Sequence, residues 1–268
     1  MKKYFIAFIS VFFLISAFAQ KKKITSEELK PSDLSGLEFR SVGPAFMSGR
    51  IADIAINPEN ENEWYVAVGS GGVWKTVNSG TTWKPIADNE SFYSTGCITI
   101  DPHNTSKVWL GTGENVGGRH VGIGHGVYVS ENGGKSWKSM GLKSSEHISK
   151  IIVSPKDPNI VFVASQGPLW SSGGDRGLFK TNDGGKTWKN VLSVNEWTGV
   201  TDIVIDQLNP DILYAATWQR HRNVASYMGG GPGTSIYKST DHGKNWIEIK
   251  DGLPNSNLGK IGLAISPF

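Results

Sequence analysis

The sequence has a single cysteine, Cys97, among its 268 residues. No disulfide can form within the chain, which excludes a small disulfide-stabilised scaffold. Cys97 lies in the strand-like stretch GCITI, where we expect a buried apolar residue rather than a reactive thiol. An excess of one charge is also lacking, since 27 Lys and Arg residues face 24 Asp and Glu residues. This balance predicts no nucleic-acid partner and no general attraction to anionic lipid.

Long hydrophobic runs are scarce, and the one that stands out covers residues 4–15. It follows Lys2 and Lys3 and precedes the small-residue site AFA at 17–19. This order is typical of a secretory signal peptide, so we predict cleavage before Gln20, with retention as an anchor the alternative. About a dozen apolar residues are fewer than the roughly 20 that span a bilayer. We therefore predict a secreted, periplasmic or cell-surface protein with no membrane span after cleavage, beginning with a polar lead-in at 20–36.

What the sequence has in abundance is glycine, 33 residues, and a motif of the form [ST]-x-[DN]-x-G-x-x-W. The motif occurs as TVNSGTTW, SENGGKSW, TNDGGKTW and STDHGKNW. These four boxes end at Trp83, Trp137, Trp188 and Trp246, at intervals of 54, 51 and 58 residues. Repeats of roughly this length are typical of architectures built from one recurring supersecondary unit.

Each repeat also carries an aliphatic run that ends near a proline, such as RIADIAINP, and a second run, such as EWYVAVG. A short segment such as GVWKT precedes the box and another, such as KPIAD, follows it. The apolar period is two, which predicts four short strands A to D and excludes a helical solenoid. We therefore predict an all-β fold, a β-propeller with four-stranded antiparallel blades, within residues 37–268. The expected blades cover residues 49–92, 93–146, 147–197 and 198–256.

Residues 257–268 include KIGLAISPF, which matches strand A of a fifth repeat whose strands B, C and D are missing. A propeller hides its blade faces and sheet edges only in a closed ring. We therefore predict an incomplete ring whose remaining blades belong to a longer chain, with the total number of blades left open. The alternative is a complete four-bladed ring, closed by residues 36–44 as an added outer strand.

The box has an architectural explanation. Its hydroxyl and its Asp or Asn oxygen can accept hydrogen bonds from N–H groups of the C–D turn, and its Gly permits a positive φ. The Trp is expected to pack beneath the turn. Asn78 and Asn132 stand where the later boxes have Asp183 and Asp241. Because an amide replaces the carboxylate in half of the repeats, we predict that this position holds a turn and is not catalytic.

The opposite side of the blades carries B–C loops of unequal length, and such variation marks functional loops. The first is the short GSGG, whereas the other three cover residues 113–126, 167–177 and 218–234. Aromatic rings with Arg and His around a Gly-rich rim suit a glycan or peptide ligand, although Arg and Asp could instead brace the long loops. The candidate ligand-binding residues are Arg119, His120, His125, Trp170, Arg176, Trp197, Trp218, Arg220, His221, Arg222 and Tyr227. Their histidines lack metal-ligand spacing, so neither a metal nor another cofactor is predicted.

These residues resemble a known family. The boxes match the Asp-box (BNR) repeat, and FRSVGPAFMSGRIADIAI, GTGEN, GPLWSSGGDRGLFKTNDGGKTW and GLPNSNLGKIGLAISP are similar to the large secreted BNR propellers related to sortilin/Vps10. Members of that family are often labelled glycosyl hydrolases and are much longer, which favours the incomplete ring. The stretch FRSVGP also resembles an element of sialidases, but Ser41 and Val42 depart from it, so no sialidase activity is expected.

Xyloglucanase-type propeller hydrolases are similar to this chain between strands B and C. They carry an aspartate before the Gly-Gly of the first blade, where this chain has Gly69 and Ser70. An inverting glycosidase needs two carboxyl groups roughly 6.5 to 9.5 Å apart, and Glu114 and Asp175 are the pair that we nominate. We expect an exported propeller module that binds an extracellular glycan or peptide on its B–C loops. The alternative is a glycoside hydrolase of xyloglucanase type.

Overall fold

The computed structural model describes residues 30–37 and 49–266. The chain divides into two compact units, Met1–Met47 and Ser48–Phe268. In the first unit the described residues form a 3-10 helix, Pro31–Leu34, and the Asp33 carboxylate accepts the Lys30 N–H at 2.8 Å. The predicted signal peptide, residues 20–29 of the lead-in and residues 38–48 lie outside the described residues.

The second unit contains four four-stranded antiparallel sheets, with the strands of each in chain order. Blade 1 contains β1 (Ile51–Ile56), β2 (Trp64–Val68), β3 (Gly72–Thr76) and β4 (Lys84–Pro85). Blade 2 contains β5 (Thr95–Asp101), β6 (Asn104–Thr112), β7 (Val127–Ser130) and β8 (Lys138–Ser139). Blade 3 contains β9 (Ile148–Val153), β10 (Val161–Ser165), β11 (Gly177–Thr181) and β12 (Lys189–Leu192). Blade 4 contains β13 (Thr198–Ile205), β14 (Leu213–Gln219), β17 (Ile236–Ser239) and β18 (Ile247–Ile249).

The predicted all-β fold with four-stranded antiparallel blades is confirmed. One element is added to it, a hairpin of β15 (His221–Arg222) and β16 (Tyr227–Met228) inside the loop between β14 and β17. The fourth strands are short because they pair along only part of the third, as β4 and β8 do with two residues each. Among the described residues, no helix is long and apolar enough to span a membrane.

The hydrophobic core lies between neighbouring blades. Alternate residues of a strand face opposite sides of its sheet. On β2, Tyr65 and Ala67 face blade 2, and Val108 and Leu110 of β6 pack against them. On its other side β6 presents the fully buried Trp109 to blade 3. The third interface is formed by Phe162, Ala164, Leu178, Leu192, Val200, Ile203, Ile205, Leu213 and Ala215.

One face of blade 1 is open to solvent. Ile54 and Ile56 are each 51% exposed, whereas their counterparts in the next repeat, Ile98 and Ile100, are 3% and 9% exposed. Ile98 and Ile100 are buried because blade 1 packs against the face of blade 2 on which they lie. The sequence of β1 is therefore that of an interface strand, and this interface lacks its second sheet among the described residues.

The predicted fifth strand A follows the course of a next blade without forming a ladder. The N–H of Leu263 donates to Asp202 Oδ2 at 2.8 Å, as the N–H of Ile98 in blade 2 donates to Asp53 Oδ2 of blade 1 at 3.1 Å. No strand is assigned in the described residues 257–266 beyond a bridge between Gly231 and Leu258. Strand A pairs with strand B of its own blade, and the described residues contain no strand B for this segment.

The boxes form the C–D turns by the expected hydrogen bonds. In blade 2, Ser130 Oγ accepts the N–H of Gly134 at 2.8 Å, and Asn132 Oδ1 accepts the N–H of Ser136 at 3.0 Å. In blade 3, Thr181 Oγ1 accepts the N–H of Gly185 at 2.9 Å. Gly134 and Gly185 have φ of +86° and +89°. Asp and Asn therefore act alike, as acceptors that close a turn.

The box tryptophans have a wider role than packing beneath their own turns. The indole N–H of Trp137 donates to Ile86 O of blade 1 at 3.3 Å, and that of Trp188 donates to Met140 O of blade 2 at 2.7 Å. The box glycine approaches the preceding blade as well, because a Cβ on Gly185 would lie 3.0 Å from the Trp109 ring. The boxes of blades 2 and 3 thus fasten their blades to the preceding one.

Candidate ligand-binding face

The three long B–C loops meet on one side of the blades, which we call the loop face. Its centre is the segment 114–117, which follows β6 of blade 2. Four consecutive carbonyl groups of this segment accept hydrogen bonds from side chains that follow it by at least 33 residues in the chain. The donors to Glu114 O, Asn115 O, Val116 O and Gly117 O are His147 Nδ1 at 2.8 Å, Lys260 Nζ at 2.7 Å, Arg220 Nη1 at 2.8 Å and Arg222 Nη2 at 2.9 Å.

Arg176 organises the loop of blade 3. It is 5% exposed and its guanidinium donates to five main-chain carbonyls. These carbonyls belong to Gln166, Pro168, Ser171, Gly173 and Trp197. A loop wrapped around one planar donor group has little freedom, so Arg176 braces the loop. It does so through main-chain carbonyls, whereas the alternative hypothesis expected Arg and Asp to pair with one another.

The hairpin β15–β16 is fastened to the loop of blade 2 from both sides. Arg119 Nη2 of that loop donates to Val224 O of the hairpin at 3.0 Å, and Arg222 Nη2 of the hairpin donates to Gly117 O of the loop at 2.9 Å. The Tyr227 hydroxyl packs directly on Gly117, where a Cβ would lie 1.9 Å from it. Only glycine can accept so close a neighbour at this position.

Two aromatic rings of the loop face remain available to a ligand. Trp170 is 42% exposed and Tyr227 is 41% exposed. Trp218, in contrast, is 4% exposed and its indole N–H donates to Gly229 O at 2.9 Å, so it supports the loop from within. Trp197 is half-buried and packs against His221 in a tilted arrangement, with ring centres 4.2 Å apart. The candidate aromatic residues thus divide into two exposed rings and two packed ones.

The nominated carboxylates have separate surroundings. Glu114 is 2% exposed, and its oxygens accept from Arg50 Nε at 2.9 Å and from the N–H of Gly122 at 2.9 Å. Asp175 Oδ2 accepts the N–H of Ser144 at 2.9 Å. No hydrogen bond in the described chain joins Glu114 to Asp175. Both groups already hold loop backbone or a cation.

The interior of the loop face is electropositive. Burial, with Arg220 and Arg176 nearby, lowers the pKa of His147 to about 3, so its ring is neutral at pH 7 and Nδ1 donates to Glu114 O. Burial and then the neighbouring Arg176 lower the pKa of Arg220, which still remains protonated at neutral pH. His120 and His125 are exposed. In the described residues, no group of three or more His, Cys, Asp or Glu side chains could hold a metal ion.

Sequence reasoning missed several residues of this face. Arg50, His147 and Lys260 lie outside the long B–C loops, and Asn115 lies within one of them but carries no charge or aromatic ring. Their partners are 33 to 145 residues away in the chain. No local pattern records contacts over such distances, although the repeat does place all four near blade ends.

Solved structures identify the class of protein first. The chain is similar to an ancestral GH74 enzyme, with a TM-score of 0.60 and 20% identity over 76% of this chain and 26% of that one. It is also similar to the GH74 xyloglucanase from Xanthomonas campestris, with a TM-score of 0.53 and 17% identity over 74% of this chain and 29% of that one. At this identity the comparison shows the fold, and the four sheets are blades of a β-propeller.

The sequence then identifies the family. The profile of the Sortilin-Vps10 family, described as sortilin, neurotensin receptor 3, matches residues 125–260, about half of the chain. The chain therefore belongs to the Sortilin-Vps10 family, as the resemblance implied.

Curated relatives carry xyloglucanase names. A probable oligoxyloglucan-reducing end-specific xyloglucanase of Neosartorya fischeri is 24% identical over 79% of this chain and 25% of its own length. A xyloglucanase of Acetivibrio thermocellus is 26% identical over 73% of this chain and 25% of its own length. The chain thus spans about a quarter of the length of these relatives.

Proposed function

We propose that this chain is an exported propeller module that binds an extracellular glycan or peptide through its loop face. The observation that carries the proposal is the pair of exposed rings, Trp170 and Tyr227, on loops held in place by buried arginines. A rigid aromatic surface can stack on a sugar ring or an apolar side chain without a large ordering cost. The N-terminal signal pattern supports export.

Binding to oligosaccharides of xyloglucan and to a peptide panel, measured by calorimetry, tests this proposal. We expect Trp170→Ala and Tyr227→Ala each to weaken binding about tenfold, which corresponds to about 1.4 kcal/mol. Trp83→Ala is the matched control, because Trp83 is 39% exposed but lies in a box on the other side of the blade. Equal affinities for all three variants and the parent chain would contradict binding on the loop face.

Hydrolysis of a polysaccharide by Glu114 and Asp175 is the second candidate, favoured by the xyloglucanase names of the relatives. The hydrogen bonds of Glu114 weigh against it, since Arg50 and Gly122 already hold that carboxylate. Release of reducing ends from xyloglucan, lost in both Glu114→Gln and Asp175→Asn, would support it. Binding without turnover would leave the module as a binder.

We also propose that the partners of blade 1 and blade 4 are further blades of a longer chain. The exposed apolar face of blade 1 around Ile54 and Ile56 supports this proposal. The mass of the exported protein from its native host tests it. A mature mass that corresponds to residues 20–268 alone would contradict it.

A further inference from the structure

We propose that the ligand of the loop face is an acidic polysaccharide, whose uronate carboxylates bind Arg119, Arg222 and Lys260 between the rings of Trp170 and Tyr227. This inference rests on the proposed function and adds the chemical class of the ligand. It comes from cationic side chains of the loop face that form no ion pair with a described carboxylate.

Five cationic side chains of the loop face are bound to main-chain carbonyl groups, and none of them forms an ion pair with a described carboxylate. Such a carbonyl satisfies the hydrogen-bond donors but carries no net charge, so the positive charge of each side chain persists. The described ion pair of this face joins Arg50 to Glu114. The five unpaired cations are Arg119, Arg176, Arg220, Arg222 and Lys260.

These cations divide into a buried pair and an accessible group. Arg176 and Arg220 are 5% and 0% exposed and act only through their field. Arg119 and Lys260 are exposed and Arg222 is half-buried. Lys260 and Arg222 bind the carbonyls of Asn115 and Gly117, so both charged ends are held on one short segment.

The buried pair makes the accessible group more receptive to an anion. Burial, and then the charge of Arg220, lowers the pKa of Lys260, and the Asp202 carboxylate acts in the opposite sense. Burial, and then the charge of Arg176, likewise lowers the pKa of Arg220, and Tyr227 and Glu146 act in the opposite sense. A carboxylate that enters this region relieves repulsion among several cations at once, in surroundings where the interaction is weakly screened.

The exposed rings favour a saccharide over an acidic peptide. The N–H of Arg222 donates to Leu169 O at 3.0 Å, which places Arg222 beside Trp170, and its guanidinium covers the Tyr227 ring. Aromatic, cationic and aromatic groups therefore alternate along the face. A chain of sugar rings that carry carboxylates matches this alternation, since ring faces can stack while the carboxylates reach the cations.

The test is calorimetric titration of the purified chain with oligogalacturonate, with uncharged xyloglucan oligosaccharides and with oligoglutamate, at low and high salt. We expect oligogalacturonate to bind at least about tenfold more tightly than xyloglucan, and to weaken as salt rises. The variants Arg119→Gln and Lys260→Gln should each weaken oligogalacturonate binding about tenfold and leave xyloglucan binding unchanged. Lys135→Gln, which removes an exposed charge from a box, is the matched control and should change neither.

The outcomes separate this inference from the proposed function. Suppose that xyloglucan binds as tightly as oligogalacturonate and that neither variant changes the oligogalacturonate affinity. The proposal of an acidic polysaccharide is then overturned, while the proposal of glycan binding stands. If oligoglutamate binds as tightly as oligogalacturonate, the face selects charge alone and the saccharide class is overturned. If no polysaccharide or peptide binds, both proposals fail. Unchanged melting temperatures of the two variants show that a loss of binding does not reflect unfolding.

Discussion

The two sides of the same blades are built on different principles. On the box side, each turn is closed by hydrogen bonds that span at most four residues, and the pattern recurs in all four blades. On the loop face, the defining hydrogen bonds from Arg220, Arg222 and Lys260 span 104, 105 and 145 residues. The box side therefore repeats one set of local hydrogen bonds in every described blade. The hydrogen bonds of the loop face are not repeated, and they form only when distant parts of the chain fold together.

The largest effect on stability is expected from the removal of a box tryptophan that contacts the preceding blade. Trp188 packs on Trp109 with ring centres 6.4 Å apart and donates to Met140 O. We expect Trp188→Ala to lower the free energy of unfolding by about 3 to 5 kcal/mol, measured by denaturant titration. Trp83→Ala, in the same box position on the open face, should cost about 1 kcal/mol or less. Equal losses would mean that the tryptophan acts within its own turn.

A second variant breaks the loop face without touching the boxes. Arg220→Ala leaves the carbonyls of Val116 and Gly167 without their donor inside the protein. Because buried acceptors without partners are costly, we expect a loss of about 2 to 3 kcal/mol in the free energy of unfolding. Arg119→Ala, at an exposed donor of the same face, is the control and should change it by about 0.5 kcal/mol at most. An unchanged free energy of unfolding in Arg220→Ala would show that water replaces the guanidinium as the donor to these carbonyls.

The smallest expected effect concerns the acidic boxes. The hydroxyls of Thr187 and Thr181, together with backbone N–H groups, hold the pKa of Asp183 well below its usual range, and Asn245 does the same for Asp241. The folded state therefore resists protonation, so the stability that these carboxylates contribute is present above pH about 3.8 and is lost as the pH falls below it.

The double variant Asp183→Asn, Asp241→Asn tests that pH dependence. Because the amides cannot titrate, its melting temperature should fall less between pH 4 and pH 2 than that of the parent chain, as followed by circular dichroism. The double variant should differ little from the parent at neutral pH, since Asn78 and Asn132 already close two such turns. A parallel acid response in both proteins would assign the loss to other carboxylates.

The repeat allowed the blades and the box turns to be predicted because their information is local. In blade 2, for example, the turn depends on the Ser130 hydroxyl, the Asn132 side-chain oxygen and Gly134. All three lie in one hairpin, as does the alternation of its strands. The role of the box tryptophan was only partly predicted, since its acceptor belongs to the preceding blade. The ladder of the fifth strand was not formed, because its partner strand is not among the described residues.

The loop face could be predicted only as a set of residue types. The clustering of Arg, Trp and Tyr in long loops pointed to stretches that lie together on one face, but not to which rings are exposed or which cations are buried. Trp170 and Trp218 look alike in sequence and differ tenfold in exposure, at 42% and 4%. Glu114 looked like a free carboxylate and is held by Arg50, which precedes it by 64 residues.

The amino-acid sequence by itself determined the four-stranded type of the blades and their box turns, because each box closes its turn through neighbours within four residues. Only the tertiary structure decided where the charge of the loop face lies. Guanidinium and ammonium groups from blade 4 and the segment after it meet the carbonyls of residues 115–117, and a neutral carbonyl binds a cation without cancelling its charge.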